Sequence, residues 1–261
     1  MRQVYLEARI SRGRSGSPRL RASLSPWEPG TILGLTGVSG SGKSSLLRMI
    51  SGLSSPDEGL LRVGGEVWYD SREGIDLLPE ERSVAYFSQA PCLFSHMSAG
   101  ENLSFATEMA EGVTGRSFRR TFLGAAKWVR RLGRSCPLST EALRLASLFG
   151  ISPLLEKNVE TLSGGEYRKV ALARLFLKKT RLYLLDEPLS GIDREERSRL
   201  RPIIAGLLRE GGASAIWVTH SPDELLPFVA SMGGIVRSDQ SGELAFLSAI
   251  APLIPERTHS S

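Results

Sequence analysis

The stretch TILGLTGVSGSGKSSLLRMISGL, Thr31 to Leu53, constrains the fold of this chain more than any other. Its first residues, Thr31 to Leu35, form an apolar run that reads as a buried strand. Gly37-Val38-Ser39-Gly40-Ser41-Gly42-Lys43-Ser44 follows and fits G-x-x-x-x-G-K-[ST], and Ser45 leads on into the helical SSLLRMI. Strand, glycine loop and helix in that order are the context a phosphate loop requires. The glycines let successive backbone N–H groups turn inward, at a helix N-terminus whose dipole adds about half a positive charge. Lys43 is then long enough to reach β- and γ-phosphates, and the Ser44 hydroxyl can ligate Mg²⁺. A Gly/Ser turn that merely caps a helix is the plainer alternative; the preceding strand favours the phosphate loop. The expectation is an α/β chain that binds a nucleoside triphosphate.

A second segment, TRLYLLDEPLSGID (Thr180 to Asp193), reads as a buried strand carrying two carboxylates to its C-terminal end. Ligands of open α/β sheets sit at that end. Asp186 is placed to hold Mg²⁺, and Glu187 to orient or deprotonate an attacking water. Alone, Asp-Glu-Pro is equally well a strand-ending turn; the phosphate loop tips the balance towards catalysis. A third apolar run, Ala215 to Thr219, ends in His220, which favours a polar contact to the γ-phosphate. His96 and His259 carry no assigned chemistry.

Between these segments lies ETLSGGEYRKVALARLFL, Glu160 to Leu177. Ser163 reads as an N-cap, with Gly164 and Gly165 allowing close approach and Glu166 as the capping-box partner. That is either a well-capped helix alone or a second anion site at a helix N-terminus. With one nucleotide to bind per chain, the second site points to a neighbouring subunit.

Composition narrows the class. The chain of 261 residues holds 33 Lys and Arg against 28 Asp and Glu. The excess is local: seven bases lie between Gly115 and Arg134, and six more against Glu7 lie in the first 21 residues. Without these thirteen bases and one acid, 20 bases face 27 acids, so a body-wide basic field for nucleic acid is disfavoured. No run reaches the 18 apolar residues of a spanning helix, and the N-terminus lacks the apolar core of a secretory signal. Cys92 and Cys136 form no CxxC pair, which fits a reduced cytosolic setting.

Five elements in order resemble the nucleotide-binding subunit of ABC transporters: GVSGSGKSS, Gln89 in YFSQAPCLFSHMSAGENL, LSGGE, LYLLDEP with LSGID, and WVTHSPDE. The resemblance runs from about Thr31 to Pro227. It implies a P-loop NTPase (RecA-like) core with a mainly parallel sheet, an antiparallel β portion on its N-terminal side and an inserted helical subdomain. The division it implies is a single ATPase domain, with core at 1–90 and 161–237, helical subdomain at 91–160 and a short extension at 238–261. Two copies stack head to tail in this family. Each ATP is then held between one phosphate loop and Ser163, Gly164 and Gly165 of the other copy. Gln89 looks like the residue that senses the γ-phosphate and Mg²⁺ and links core to helical subdomain. Asp193 resembles the acid that communicates across the dimer, and His220 the switch histidine. The implied partners are integral membrane permease subunits, bound through the helical subdomain at a groove around Cys92 to Asn102, and, indirectly, a solute-binding protein. Nucleic acid is not expected, and the implied location is the cytoplasmic face of the inner membrane. An ABC ATPase acting in DNA repair, translation or cofactor assembly is the alternative.

Within the family, GIDLLPEERSVAYFSQ followed by LFSHMS is most similar to ATPases of molybdate and related oxyanion importers. Such chains often carry a further C-terminal β-rich domain; about 34 residues follow Pro227 here. Where the family places an aromatic on adenine, this chain has Gly13-Arg14, with Tyr5 and Trp27 nearby, and the Arg14 guanidinium plane could stack instead. Arg168-Lys169 replaces the usual Gln-Arg pair after the LSGGE stretch. Cys92 is expected to be a small buried packing residue.

The basic stretch GRSFRRTFLGAAKWVRRLGR, 115–134, falls inside the helical subdomain and is amphipathic at helical spacing. It reads as an extra packed helix with solvated charges, as a face set against an anionic leaflet, where each base contributes about 1 kcal/mol, or, least favoured because the rest of the chain is acidic, as a nucleic-acid patch.

Overall fold

The computed structural model describes residues 6–12, 20–24, 30–37, 39–112, 138–220, 231–237 and 244–249. The basic stretch 115–134, Cys136, Val38, Tyr5, Arg14 and Trp27 lie outside the described residues.

Eleven strands form one sheet: β1 (Leu6–Arg12), β2 (Leu20–Leu24), β3 (Ile32–Thr36), β4 (Glu58–Val63), β5 (Glu66–Asp70), β6 (Ile75–Asp76), β7 (Val84–Phe87), β8 (Leu182–Asp186), β9 (Ser214–Val218), β10 (Ser231–Arg237) and β11 (Leu244–Ala249). Their spatial order is β6-β5-β4-β1-β2-β11-β10-β3-β9-β8-β7. The pairs among β1, β2, β4, β5 and β6 are antiparallel. The pairs β10–β3, β3–β9 and β9–β8 are parallel. β8 and β9 are buried at every position, and β3 at all but its last, as continuous apolar runs in a covered parallel sheet should be. β11 lies between β2 and β10, so part of the extension expected at 238–261 is a strand of the sheet.

Helix α1 (Lys43–Ile50) follows β3 after a six-residue loop and buries Leu46, Leu47, Met49 and Ile50. These join Leu33, Leu35, Leu61, Trp68, Leu182, Leu184, Ile216 and Val218 in one core. Each fully buried leucine or isoleucine there contributes roughly 1.5–3 kcal/mol.

The C-terminal end of α1 is tied down by a buried cation. Arg82 has a fully buried side chain and donates to the carbonyls of Met49 and Ile50, each at 2.8 Å, and of Leu77 at 3.0 Å. Its remaining arm pairs with Asp76 at 3.0 Å. Gly52 closes over it with φ 80°, and a Cβ there would lie 2.9 Å from the Arg82 Nε. Arg82→Met is therefore expected to cost about 3 kcal/mol or more, because it strands buried carbonyls and half of an ion pair. Urea unfolding checks it, and Gly52→Ala should be destabilising through the same contact and the left-handed backbone.

The remaining helices are α2 (Ala99–Gly112), α3 (Thr140–Leu148), α4 (Gly164–Leu177) and α5 (Arg194–Glu210). The chain divides into two compact units. The first comprises Met1–Tyr86, Arg181–Glu187 and Ile204–Ser261, and holds the sheet up to Tyr86 together with α1. The second comprises Phe87–Thr180 and Pro188–Ile203. In it α4 packs on α2 and α3, with Phe149 stacked on Phe176 at 6.1 Å between ring centroids. Among the described residues no helix is long and apolar enough to cross a membrane. Cys92 departs from expectation: it is exposed. Its neighbours Leu93 and Met97 take the inward positions of this segment, so the cysteine side chain is left outside.

Candidate functional site

Register places the groups of the first unit together. Val218 of β9 is the cross-strand partner of both Leu35 of β3 and Asp186 of β8. Three parallel strands therefore end at one edge of the sheet, where the phosphate loop, Asp186-Glu187 and His220 begin. Two backbone bonds fix the edge: Thr219 N–H donates to the Leu35 carbonyl at 3.1 Å, and Glu187 N–H to the Val218 carbonyl at 3.2 Å.

The loop from Gly37 to Gly42 needs its glycines at two points in particular. Gly40 has φ 75° and Gly42, the N-cap of α1, has φ 95°. Among the described residues no side chain caps α1, and no acid stands in its first turn, so its first N–H groups are open to an anion. Lys43 is buried and its ammonium folds back to donate to the Gly37 carbonyl at 2.8 Å. Burial pushes the Lys43 amine below the ordinary lysine value, while the carboxylates of Glu187 and Asp186 pull it back up. Ser41 is buried too, and its hydroxyl finds no partner among the described residues. A buried orphan hydroxyl, an uncapped helix start and a buried ammonium together fit a polyanion. Ser39 and Ser45 stand exposed on the loop and the first turn of the helix, and Ser44 is half-buried.

Asp186 is almost fully buried. Burial pushes its carboxyl above the usual aspartate range, whereas a bond with the Ser44 hydroxyl works in the opposite direction. The Tyr86 hydroxyl lies 3.5 Å from Asp186 Oδ2, and burial drives that phenol up to about 12. Among the described residues no three His, Cys, Asp or Glu side chains gather as a metal cage. A hydrated Mg²⁺ held chiefly by phosphates needs only one or two protein oxygens, and Ser44 and Asp186 supply two adjacent ones.

Glu187 is the only non-glycine residue among those described with a positive φ, 48°. That left-handed conformation costs a side-chain-bearing residue roughly 1–2 kcal/mol. His220 Nε2 donates to Glu187 Oε1 at 2.7 Å. The strained turn after β8 thus aims this carboxylate at the histidine two residues past β9.

The second unit holds the other predicted residues. Ser163 caps α4 in a complete capping box: its hydroxyl accepts from Glu166 N–H at 3.3 Å, and Glu166 Oε2 accepts from the Ser163 N–H at 2.9 Å. Backbone and side-chain bonds from Ser163 hold the Glu166 carboxyl below its usual range. Among the described residues a Cβ on Gly164 would meet nothing within 4 Å, so none of them demands glycine there. Asp193 Oδ1 accepts from Glu196 N–H at 2.9 Å at the start of α5. The Gln89 carbonyl accepts from Arg168 at 2.7 Å. Sequence reading did not foresee Tyr86 or the use of Arg168; the Arg168-Lys169 pair was a visible departure without an explanation.

The chain is similar to known proteins over most of its length. The chain is 38% identical over 215 residues to the "Molybdenum import ATP-binding protein ModC" of Paramagnetospirillum magneticum, covering 82% of this chain and 52% of that protein. It is 32% identical over 244 residues to the protein of the same name from Brucella abortus, covering 94% of this chain and 60% of that one. The chain thus spans about half the length of the curated relatives it matches. A crystal structure titled as a nucleotide-free ATP-binding cassette from an ABC transporter superposes with TM-score 0.68 at 19% identity, covering 94% of this chain and 90% of that one. A structure named RNase-L Inhibitor superposes with TM-score 0.66 at 22% identity, over 95% of this chain and 40% of that one. At such identities these two speak for the fold alone. The family model described as ABC transporter matches residues 23–190, most of the chain, and the chain belongs to that family.

Proposed function

We propose that this chain is the ATP-binding and ATP-hydrolysing subunit of an ABC importer, working with Mg²⁺ and powering uptake of molybdate or a related oxyanion through separate membrane subunits. The observation that carries the enzymatic part is Glu187, held in a strained conformation and bonded by His220 at the same sheet edge as Lys43 and Asp186. Strain of this kind is kept where a side chain must be aimed. The relatives named for molybdenum import support the cargo.

In this reading the phosphate chain lies on the N–H groups of Gly37 to Ser45, and Lys43 exchanges its bond to the Gly37 carbonyl for phosphate oxygens. Ser41 gains the partner it lacks. Bound Mg²⁺ supplies charge neutralisation, held by Ser44 and Asp186, with Gln89 in the role the resemblance implies. Glu187 accepts a proton from the attacking water or orients it, and His220 holds Glu187 and contacts the γ-phosphate. Ser163, Gly164 and Gly165 serve the nucleotide of a second copy in a head-to-tail dimer, which would explain a glycine at 164 that none of the described residues requires. Asp193 communicates across that dimer. The partners are integral permease subunits and, indirectly, a solute-binding protein, and the subunit works at the cytoplasmic face of the inner membrane.

Purification of the tagged chain from native membranes tests the transport reading. Integral membrane subunits should co-purify, and ATP turnover of that complex should rise when an oxyanion-loaded binding protein is added. Recovery with nucleic acid and without membrane subunits would contradict it and favour a non-transport ABC ATPase.

A further inference from the structure

Helix α4 does more than present Ser163, Gly164 and Gly165 at its start. Its side chains also grip the backbone that follows β7, within the same compact unit. The Arg168 guanidinium donates to the Gln89 carbonyl at 2.7 Å and lies over the Phe87 ring, 5.8 Å from its centroid. Leu93 N–H donates to the Tyr167 hydroxyl at 2.7 Å. Arg174 donates to the Cys92 carbonyl at 2.8 Å and lies over Phe94 at 4.7 Å. From α2, the buried Asn102 accepts from Phe94 N–H at 2.9 Å and donates to the Phe94 carbonyl at 3.2 Å. The segment 88–94 has no helix or strand of its own, so these side chains set its course.

Arg168 and its neighbour Lys169 reach in two directions. Lys169 Nζ lies 3.5 Å from Glu196 Oε1, in the first turn of the helix that Asp193 caps. A planar guanidinium can donate to a carbonyl and stack on a ring at once, and a charge-assisted bond is stronger than a neutral one. Neither glutamine nor lysine does both. We propose that Arg168 is a positioning residue: by binding the Gln89 carbonyl and stacking on Phe87, it fixes Gln89 to the helix that carries Ser163 to Gly165. A displacement at one is then carried to the other. The functional half of this rests on the ATPase reading above; the mechanical half does not.

Amide hydrogen exchange on the full nucleotide-free chain, paired with steady-state ATP hydrolysis, separates the two halves. Arg168→Gln should raise exchange of the amides between 87 and 93 by about tenfold or more, the loss of roughly one charge-assisted bond. Its kcat should fall about fivefold with KM for ATP within about twofold, because the phosphate loop is unaltered. Arg168→Lys, which keeps a donor for the carbonyl but not the stacking, should recover more than half of both effects. Arg144→Gln, which breaks an exposed pair with Glu141 on α3, should leave both readouts at wild type. Unchanged exchange between 87 and 93 in Arg168→Gln would overturn the proposal. So would a raised KM at unchanged kcat, which would assign Arg168 to nucleotide binding. A wild-type chain without ATP hydrolysis would overturn the ATPase reading instead, and the exchange measurement would still decide the mechanical claim.

Discussion

Lys43→Ala is expected to weaken ATP binding by more than about a hundredfold while leaving the nucleotide-free chain folded. Two charge-assisted contacts to phosphate, each contributing about 1.5–3 kcal/mol, amount to at least two decades in affinity. The same change costs little stability, because removing the buried ammonium also removes its desolvation cost, which offsets the loss of its bond to the Gly37 carbonyl. Burial lowers the folded-state value of Lys43, so between that lowered value and the unfolded value near 10.5 the folded chain binds fewer protons than the unfolded one. Stability should therefore rise as pH climbs through that interval, and Lys43→Ala should flatten the rise. Calorimetric titration with Mg-ATP measures the affinity, and urea unfolding at several alkaline pH values measures the linkage. ATP affinity within threefold of wild type would remove Lys43 from the site.

Two substitutions at Glu187 should separate chemistry from strain. Glu187→Gln keeps the shape and the bond to His220 but cannot take a proton, so turnover should fall by at least about a hundredfold with ATP affinity within about threefold. Glu187→Gly loses turnover as well, yet it relieves a left-handed backbone at φ 48°. That relief should offset the entropy of the added glycine and raise stability by about 1 kcal/mol. The half-exposed His220 contributes little to the fold through this contact, so its loss should not mask the gain. Urea unfolding of the glycine variant checks the sign. A glycine variant less stable than wild type would mean that Glu187 is not strained where it sits.

Much of this was legible because the decisive signals are local. The apolar run read at Thr31 to Leu35 appears as Ile32–Thr36, and those read at Leu182 to Leu185 and Ala215 to Thr219 appear as Leu182–Asp186 and Ser214–Val218. One-residue differences at the ends arise because hydrophobic runs mark burial, whereas strands end where their ladder bonds end. The capping box of Ser163 and Glu166 was legible for the same reason, since its partners are three residues apart. What sequence concealed is long-range or conformational. Tyr86 meets Asp186 across 100 positions, Arg168 meets Gln89 across 79, and Arg82 meets Met49 across 33. The left-handed turn at Glu187 carries no glycine to announce it. Cys92 was misread because burial follows from which side of an irregular segment faces inward, and no periodicity reports that.

The central claim, that this chain couples ATP binding to hydrolysis at Glu187, is tested most directly by measuring Mg-ATP hydrolysis and ATP-dependent association of the full chain and its Glu187→Gln variant together. The wild type should hydrolyse ATP and associate only transiently, and the variant should bind ATP, stay associated as a dimer in sedimentation and not turn over. A variant that hydrolyses ATP at the wild-type rate, or a wild type no more active than Lys43→Ala, would contradict the account.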